Sequence, residues 1–363
     1  MTAEFSPRPP ALLFGVPIDD LTMDETVAAV GDFVADGRRH GRTHQIATAN
    51  VDFLVNALAD DDVHHLLQAA DLCLADGAPI VWAARSTRMT LRERIAGADL
   101  VPLLAACSAT AGWRIHLFGS APGTAERAAE LLIARFPGAH ITGDSGPFIN
   151  DVSQIDEALL ATLVSADPDI LCVALGNPKQ EKFIRTYRQR LGAPVMIGIG
   201  GTLDFIVGGR RRAPRWVQRI GLEWVVRAAQ EPRRLGRRYA HDARVFFPSL
   251  VRYLRLIRRY RAYTDCLRYE VADTQLHASI SAAGEPHGWQ LAVDAVANAS
   301  FVRIDTGSSS GLSMSALCEL VGLVRAARRC GVTVDLLPPS ESLCDQLRSI
   351  GLATYLVDSE TNR

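Results

Sequence analysis

The sequence predicts an α/β protein: a mostly parallel sheet with helices on both faces, then a basic helical appendage and a smaller α/β domain. Three observations predict this order. From Leu12 to about Ile206, short apolar runs alternate with longer amphipathic stretches, as strands do with the helices that join parallel neighbours. Residues 210–261 are rich in arginine. From Leu267 onward the charge is mixed again, and apolar runs of strand and helix type return.

The apolar runs place the strands of the first domain at residues 45–49, 72–75, 115–118, 140–142, 170–175 and 195–199. Helical periodicity predicts helices at 53–70 and 124–135 between them. The chain is long enough for two or three domains. We expect a first domain at 1–243 with its appendage from about 210, a basic linking helix at 244–263 and a C-terminal domain at 264–363.

The residues that follow the strands are the candidates for a binding site, because ligands of such sheets bind beyond the carboxyl ends of the strands. Five of these segments are small, polar or glycine-rich, at 48–50, 76–77, 119–120, 177–180 and 200–204. Turns favour the same residue types, so any one segment can be no more than a turn. The five together predict a site.

Composition limits the compartment and the partners. The chain is 48% hydrophobic and 22% charged with a net charge of -1, values of an ordinary soluble globular protein that predict no polyanion partner on their own. Its seven cysteines form no Cys-x-x-Cys pair, which favours a reducing compartment. Neither a secretory signal nor an apolar run of membrane-spanning length is visible. We therefore expect a cytoplasmic protein.

The arginine-rich tract carries sixteen arginines and three acidic residues between Arg210 and Arg261. Residues 216–229 have a helical pattern. Residues 244–263 set apolar side chains among arginines, and a basic amphipathic helix of this kind suits an anionic membrane surface. Pro248 should kink or delay that helix. Nucleic acid is the alternative partner for a basic patch, but the tract has no recognisable nucleic-acid-binding motif. We therefore expect no nucleic-acid partner. The apolar set is Val245, Phe246, Leu250, Leu254 and Ile257.

A series of motifs runs from about Thr48 to Tyr239. They are Thr-Ala-Asn at 48–50, Ala-Asp-Gly at 75–77, Glu-Arg-Ile-Ala-Gly-Ala-Asp at 93–99, Ala-Leu-Gly-Asn-Pro-Lys-Gln-Glu at 174–181, Gly-Ile-Gly-Gly-Thr-Leu-Asp at 198–204, Arg-Ala-Pro at 212–214, and Gly-Leu-Glu-Trp-Val-Val-Arg at 221–227 before Glu-Pro-Arg-Arg at 231–234. In this order and spacing the tract resembles the WecG/TagA/CpsF family of bacterial glycosyltransferases.

The resemblance implies transfer of an N-acetylhexosamine-type sugar, N-acetylmannosamine or its uronic acid, from a UDP-sugar to a polyprenyl-diphosphate-linked acceptor. The reaction would be inverting, need no metal or other cofactor, and take place at the inner face of the cytoplasmic membrane. Inverting transfer needs a base for the proton of the acceptor hydroxyl, and the family's catalytic aspartate falls on Asp76. The alternative is that Asp76 caps the helix beginning near Pro79. Asp99 is a second carboxylate, placed where a helix N-cap is expected.

Other strand-end residues are candidates for substrate binding. Thr48 and Asn50 offer short hydrogen-bonding groups beside the reacting sugar, and Gly77 forms the tight turn with Asp76. Gln180 could hold a sugar hydroxyl or acetamido group, and Asp204 could accept from ribose or sugar hydroxyls. Each of these residues could instead only form its turn.

The leaving UDP needs positive charge. A metal is one source, and Asp60, Asp61 and Asp62 have the composition of a metal-binding pair, yet they follow no strand and fit a solvated break in a helical region better. Arginines are the other source, through bidentate bonds to phosphate. The resemblance implies that role for Arg212, Arg227, Arg234 and Arg237; the alternative is a solvated basic face. Gly236 departs from the family pattern, where a large residue is expected.

Residues 267–357 resemble a STAS domain, in a pattern of alternating strands and helices that includes a helix at 314–329. Signalling members of that fold carry a phosphorylated serine before the long helix. Here the stretch is Ser-Met-Ser-Ala at 313–316, so Ser315 is either a target or a plain helix-start residue. We expect a docking or regulatory module that binds a protein partner or a second copy of the chain.

Two other functions compete with glycosyl transfer. A nucleotide-sugar-sensing signalling protein acting through the STAS-like domain would bind without turnover and tolerate Asp76→Asn. A dehydrogenase on a Rossmann-like sheet is disfavoured, because the glycine-rich segments at 119–123 and 199–202 lack the full dinucleotide fingerprint. We therefore expect a Rossmann-like transferase domain.

Overall fold

The computed structural model describes residues 8–209, 214, 217, 223–230, 232–260, 263, 265–272, 275–281, 288–307 and 309–356. These residues fall into two compact units. The first unit contains Thr22–Ile80 and Glu93–Asp242. The second contains residues 8–21, Val81–Arg92 and the described residues from Ala243 onward. The domain boundaries given above stay a prediction.

The described strands are short and lie in three sheets. In chain order they are β1 (Ala11–Leu13), β2 (Val16–Ile18), β3 (His44–Ala49), β4 (Leu72–Ala75), β5 (Arg114–Gly119), β6 (His140–Asp144), β7 (Ile170–Ala174), β8 (Val195–Gly198), β9 (Cys266–Ala272), β10 (Gln275–Ser281), β11 (Phe301–Asp305) and β12 (Thr333–Leu336).

The described helices connect these strands. In chain order they are α1 (Met23–His40), α2 (Val51–Ala59), α3 (Asp61–Gln68), α4 (Ala78–Ser86), α5 (Gly97–Ala111), α6 (Thr124–Arg135), α7 (Glu157–Ser165), α8 (Lys179–Leu191), α9 (Thr202–Ile206), α10 (Glu223–Gln230), α11 (Pro232–Arg259), α12 (Trp289–Val296), α13 (Met314–Cys330), α14 (Glu341–Ile350) and α15 (Ala353–Leu356).

The first unit is built on a six-stranded sheet in the order β4-β3-β8-β7-β5-β6. Every neighbouring pair is parallel, and helices flank the sheet, so the predicted α/β fold class is confirmed. Strands β3, β4, β7 and β8 are buried along their whole length, as expected for parallel strands covered on both faces. All six predicted strand positions are occupied by strands; β4 matches its predicted bounds, and the other ends differ by at most two residues.

The stretch predicted as one helix at 53–70 is two helices. Asp60 ends α2 with extended backbone and begins α3, where its side chain accepts from the backbone N–H groups of Asp62 and Val63. An aspartate in this position satisfies donors that a helix start leaves free. The interpretation of residues 60–62 as a break in a helical region is therefore confirmed.

The second unit contains an antiparallel hairpin of β1 and β2 and a four-stranded sheet in the order β12-β11-β10-β9. Pairs β10–β11 and β11–β12 are parallel, and β9–β10 is antiparallel. The long helix α13 occupies the position predicted from sequence, and α14 follows β12. In this unit Arg325 of α13 makes a buried ion pair with Asp19, Nη2 to Oδ2 3.0 Å. The small C-terminal sheet is confirmed, and its likeness to STAS domains stays a prediction.

Helix α11 differs from the prediction for residues 244–263. It begins at Pro232 and runs through Pro248 to Arg259, so Pro248 does not delay it. Its apolar residues are not all presented outward: Phe246 and Ile257 are buried. Phe246 packs edge-on against Phe14 at 5.8 Å between ring centroids, which removes both rings from water; the sequence pattern alone does not reveal this contact.

A helix long and apolar enough to cross a membrane does not occur in the part of the chain that the structure describes.

Candidate active site

A cleft of about 370 Å³ opens at the carboxyl ends of five of the six parallel strands. Each of the five strand-end segments predicted to form a site contributes to its lining. Because parallel strands all end at the same edge, residues far apart in sequence meet there. The polar lining residues are Thr48, Asn50, Asp52, Asp76, Arg94, Ser120, Asn177, Gln180, Thr202, Asp204, Glu223, Arg238 and Tyr239.

Thr48 and Asn50 are placed by the end of β3 and the start of α2. The Thr48 hydroxyl donates to the carbonyl of Gly198 in the neighbouring strand at 2.7 Å. Asn50 is the N-cap of α2, and its Oδ1 accepts from the Phe53 N–H at 2.9 Å. Both side chains therefore support the local structure as well as line the cleft, so the turn-forming and the site interpretations are compatible.

Asp76 follows β4 directly and lines the cleft. Its backbone N–H donates to the carbonyl of Ala49 at 2.7 Å, which extends the pairing of β4 with β3 by one residue. Gly77, next in the chain, has φ 138, a backbone conformation that residues other than glycine rarely adopt. Gly77 thus sets the turn that aims the chain into α4, and it is not itself among the lining residues.

Gln180 is buried at the start of α8 with both ends of its amide engaged. Its Nε2 donates to Oε1 of Glu181 at 2.7 Å, and its Oε1 accepts from the N–H of Gly200 at 2.9 Å. A primary amide has two N–H groups and two acceptor positions, and these bonds use one of each. Gln180 therefore holds the loop after β8 in addition to lining the cleft.

Asp204 lies in the first turn of α9, where the Ser120 hydroxyl donates to its Oδ1 at 3.1 Å. Ser120 follows β5 with φ 76. The segment 119–120 was predicted as part of the site, but no role was assigned to Ser120. Its hydroxyl joins two strand ends that are separated in the sheet.

Arg94 lines the cleft. It belongs to the motif at 93–99, but the sequence did not single it out as a site residue. Its guanidinium donates to Glu223 at 2.8 Å and to Asp99 at 3.0 Å. Asp99 lies in the first turn of α5, whose N-cap is Ala96, so the expectation of an N-cap at Asp99 is wrong. Asp99 acts instead as an anchor for Arg94, and Glu223 joins α10 to the same guanidinium.

Arg238, and not its neighbour Arg237, lines the cleft. Its Nε lies 3.8 Å from Oδ1 of Asp52. Asp242, one turn further along α11, is buried, and burial together with the nearby charge of Asp52 raises its pKa to about 6. Arg237 is exposed. One position along a helix turns a side chain by about 100°, which is enough to separate the two arginines.

The other arginines proposed for the diphosphate are described only in part. Arg212 lies outside the described residues. Arg227 belongs to α10 and Arg234 to α11, but their side chains also lie outside what is described. Their roles, and that of Arg237, stay predictions. At Gly236, an added Cβ would meet no described atom within 4 Å.

Negative charge outweighs positive charge among the described lining residues. Asp52, Asp76, Asp204 and Glu223 face Arg94 and Arg238, and Arg94 is already paired with two carboxylates. Of the residues that the structure describes, no group of three or more His, Cys, Asp or Glu has an arrangement that could hold a metal ion.

Comparison with known proteins follows the same tract. A family model described as "Glycosyl transferase WecG/TagA/CpsF family" matches residues 11–261. An N-acetylglucosaminyldiphosphoundecaprenol N-acetyl-beta-D-mannosaminyltransferase of Bacillus subtilis (strain 168) is 33% identical over 192 residues, which cover 53% of this chain and 73% of that protein. A protein of the same name from Staphylococcus aureus (strain MW2) is 28% identical over 225 residues, 62% of this chain and 86% of that protein.

Proposed function

The chain belongs to the WecG/TagA/CpsF family of glycosyltransferases and is a hexosyltransferase, and from this premise we propose its substrates. The donor is a UDP-sugar carrying N-acetylmannosamine or its uronic acid, and the acceptor is a polyprenyl-diphosphate-linked sugar. Relatives named for N-acetyl-beta-D-mannosaminyl transfer onto N-acetylglucosaminyldiphosphoundecaprenol support both substrates. The product would feed a cell-surface polysaccharide.

One observation carries the mechanism: the Asp76 carboxylate shares a cleft with polar groups from four other strand ends. In the proposed step an acceptor hydroxyl oxygen attacks the anomeric carbon as the bond from that carbon to the diphosphate oxygen breaks. The hydroxyl proton passes to Asp76, and the electron pair of the broken bond leaves with UDP. Attack from the face opposite UDP inverts the anomeric centre. A positioned base of this kind contributes roughly 10² to 10⁴ in rate.

The departing diphosphate is stabilised by arginines, and we propose no metal or other cofactor. Arg238 supports this assignment because its one described ion-pair contact, to Asp52, is long at 3.8 Å. An incoming phosphate can therefore replace a weak contact with charge-assisted hydrogen bonds. Arg94 is held by two carboxylates and acts chiefly to fix the wall of the cleft. Arg212, Arg227, Arg234 and Arg237 complete the proposed set.

The protein is proposed to work at the inner face of the cytoplasmic membrane, where a lipid-linked acceptor resides. The support is the outer face of α11, on which Phe247 is 60% and Val251 47% exposed. Such a face, apolar side chains among cations, suits the headgroup region of an anionic bilayer. The exposed arginines beside them are Arg244, Arg252, Arg255, Arg258 and Arg259. The C-terminal sheet is proposed to dock a protein partner or a second copy of the chain.

The test is an assay of UDP release by the full chain with a panel of UDP-sugars and a short-chain polyprenyl-diphosphate–GlcNAc acceptor, in EDTA. We expect release that depends on the acceptor, is greatest with UDP-N-acetylmannosamine or its uronic acid, and is lost in Asp76→Asn. Proton NMR of the product should show inversion at the anomeric carbon.

Two outcomes would contradict the proposal. UDP binding without release under any condition would favour the sensing function instead. Release that EDTA abolishes and a divalent ion restores would replace the arginines by a metal as the chief stabiliser of the leaving group.

A further inference from the structure

Glu181 is a buried carboxyl group that the proposed reaction does not use. Its side chain is fully buried, and its Oε2 has no hydrogen-bond partner in the described structure. Burial raises its pKa to about 7, although the residue lies in the first turn of α8, where the helix dipole favours negative charge. A buried carboxyl group with an unpaired oxygen is costly, and its side-chain hydrogen bond goes to Gln180.

That hydrogen bond begins a chain that ends in the wall of the cleft. Oε1 of Glu181 accepts from Gln180 at 2.7 Å, and the same amide accepts from the Gly200 N–H at 2.9 Å. Gly200 and Gly201 line the cleft and lead into α9, which carries Asp204. One hydrogen bond of this loop, at the Gly200 N–H, thus goes to the same amide that donates to Glu181.

Packing against Gly198 and two hydrogen bonds together favour one orientation of the Gln180 amide. A Cβ at Gly198 would lie 2.5 Å from Nε2 of Gln180 and 2.6 Å from Oε1 of Glu181, so both side chains press on the bare glycine. The Thr48 hydroxyl donates a hydrogen bond to the carbonyl of the same glycine at 2.7 Å. If the carboxyl were absent, Nε2 of Gln180 would lose its acceptor, and exchanging the two ends of the amide would leave the Gly200 N–H facing a donor.

We propose that Glu181 is a positioning residue of the transferase site: it holds the Gln180 amide so that this amide fixes the Gly200 loop and, through it, Asp204. The assignment of the loop to substrate binding rests on the proposed function. The hydrogen-bonded chain from Glu181 to Gly200, which we call the Glu181 clamp, can be tested without it.

The experiment uses the full chain with four substitutions. Glu181→Met removes the acceptor at similar volume, and Glu181→Gln keeps a carbonyl oxygen in its place. Gln180→Met and the double variant with Glu181→Met test whether Glu181 acts through Gln180. Glu130→Met is the matched control, since Glu130 is an exposed helix carboxylate whose ion-pair partner is Arg127. Amide hydrogen exchange of Gly200 and kcat/KM for the UDP-sugar are the two measurements.

In Glu181→Met we expect Gly200 exchange about tenfold faster and kcat/KM about tenfold lower, the effect of one buried hydrogen bond. Glu181→Gln should restore both to within about twofold, which a loss of packing alone would not do. In the Gln180→Met background, Glu181→Met should add nothing, because the clamp is already broken. Glu130→Met should leave both measurements unchanged.

Unchanged Gly200 exchange in Glu181→Met, or additive effects of the two substitutions, would overturn the proposal. Should Glu181→Met not fold, Glu181→Ala replaces it with the same expectations. A wild-type protein that releases no UDP overturns the proposed function alone, and the exchange of Gly200 still decides whether the Glu181 clamp exists.

Discussion

The two edges of the parallel sheet differ in how their buried carboxyl groups are hydrogen-bonded. At the amino ends, Asp169 precedes β7 and accepts from Arg38 at 2.8 Å and from the Arg114 N–H at 2.7 Å. Burial alone would raise its pKa, but these bonds hold the pKa below its usual value. At the carboxyl ends, Glu181 accepts from one amide, and its pKa is raised to about 7.

A second buried group at the amino edge, His44, is also paired with carboxylates. His44 at the start of β3 is buried and shares its ring nitrogens between Asp36 and Asp71. Burial would lower the pKa of His44, but the two carboxylates raise it overall. Charges at the amino edge are thus matched with partners, as in a scaffold. The carboxyl edge holds Glu181, a buried carboxyl group whose Oε2 has no hydrogen-bond partner in the described structure, and perturbed groups of this kind are typical of functional sites.

The largest expected effect separates the two ends of one strand, because Asp71 precedes β4 and Asp76 follows it. Asp76→Asn should lower kcat/KM by about 1000-fold through loss of the base, with the free energy of unfolding unchanged. Asp71→Asn should leave kcat/KM within about twofold and lower the free energy of unfolding by about 1 kcal/mol, because it weakens the bond to the Gln45 N–H and removes the charge that faces His44. UDP-release kinetics and urea unfolding measure the two quantities. Equal activity loss in both variants would remove the distinction between the edges.

How far the sequence predicts this site depends on what kind of information each residue needs. The strand-end residues followed from the rule that parallel strands end at one edge, and Thr48, Asp76, Gln180 and Asp204 do line one cleft. Arg94 follows no strand, and its selection required knowing that α10 carries Glu223 to it. The motif that contains Arg94 was the available signal.

Two other features lie beyond a sequence pattern for a related reason. Whether Arg237 or Arg238 lines the cleft depends on which side of α11 faces the cleft. Two adjacent arginines in the sequence do not reveal that side. The apolar residues of that helix show a face to be covered, but the periodicity is the same for a lipid surface and for a protein. Only the tertiary structure shows that Phe14 covers Phe246.

The pH dependence of stability gives the next effect in size. A raised carboxyl pKa means that the folded chain keeps the proton of Glu181 up to about pH 7, whereas the unfolded chain loses it near 4.5. Its contribution is fully present below pH 4.5 and is lost as pH rises toward 7, on the order of 3 kcal/mol in all. Glu181→Gln cannot ionise. It should match the wild type at pH 5 and exceed it at pH 8 in urea unfolding.

The difference between wild type and Glu181→Gln isolates this group. The pKa of Asp242 is raised to about 6, and the pKa of His44 is also raised. The contribution of each group to the free energy of unfolding therefore also falls as pH rises, but both groups are present in each protein. A constant difference from pH 5 to pH 8 would mean that Glu181 does not hold a proton in the folded state.

At the amino edge, Asp169→Asn should lower the free energy of unfolding by about 2 kcal/mol, less than for a wholly buried pair because both arginines are half exposed and can be hydrated. The UDP-release kinetics of the folded protein should not change. Glu157→Gln is the matched control, since Glu157 forms an exposed ion pair with Arg190 of the kind that contributes little. A loss of kcat/KM in Asp169→Asn would show that the amino edge also supports the site.

The smallest effect compares two adjacent arginines on α11. Arg238→Met should weaken UDP binding about tenfold, since a charge-assisted bond to phosphate is worth roughly 1.5–3 kcal/mol and part of this is offset by loss of the contact with Asp52. Arg237→Met, one position away and outside the cleft lining, should change affinity less than about twofold. Isothermal titration calorimetry of the two variants with UDP measures both. The reverse order would mean that α11 turns when the nucleotide binds and that Arg237, as the family resemblance implies, meets the diphosphate. Arg237 and Arg238 lie on the same helix and each has one positive charge. A difference in UDP affinity between their variants would therefore reflect the side of α11 on which each lies.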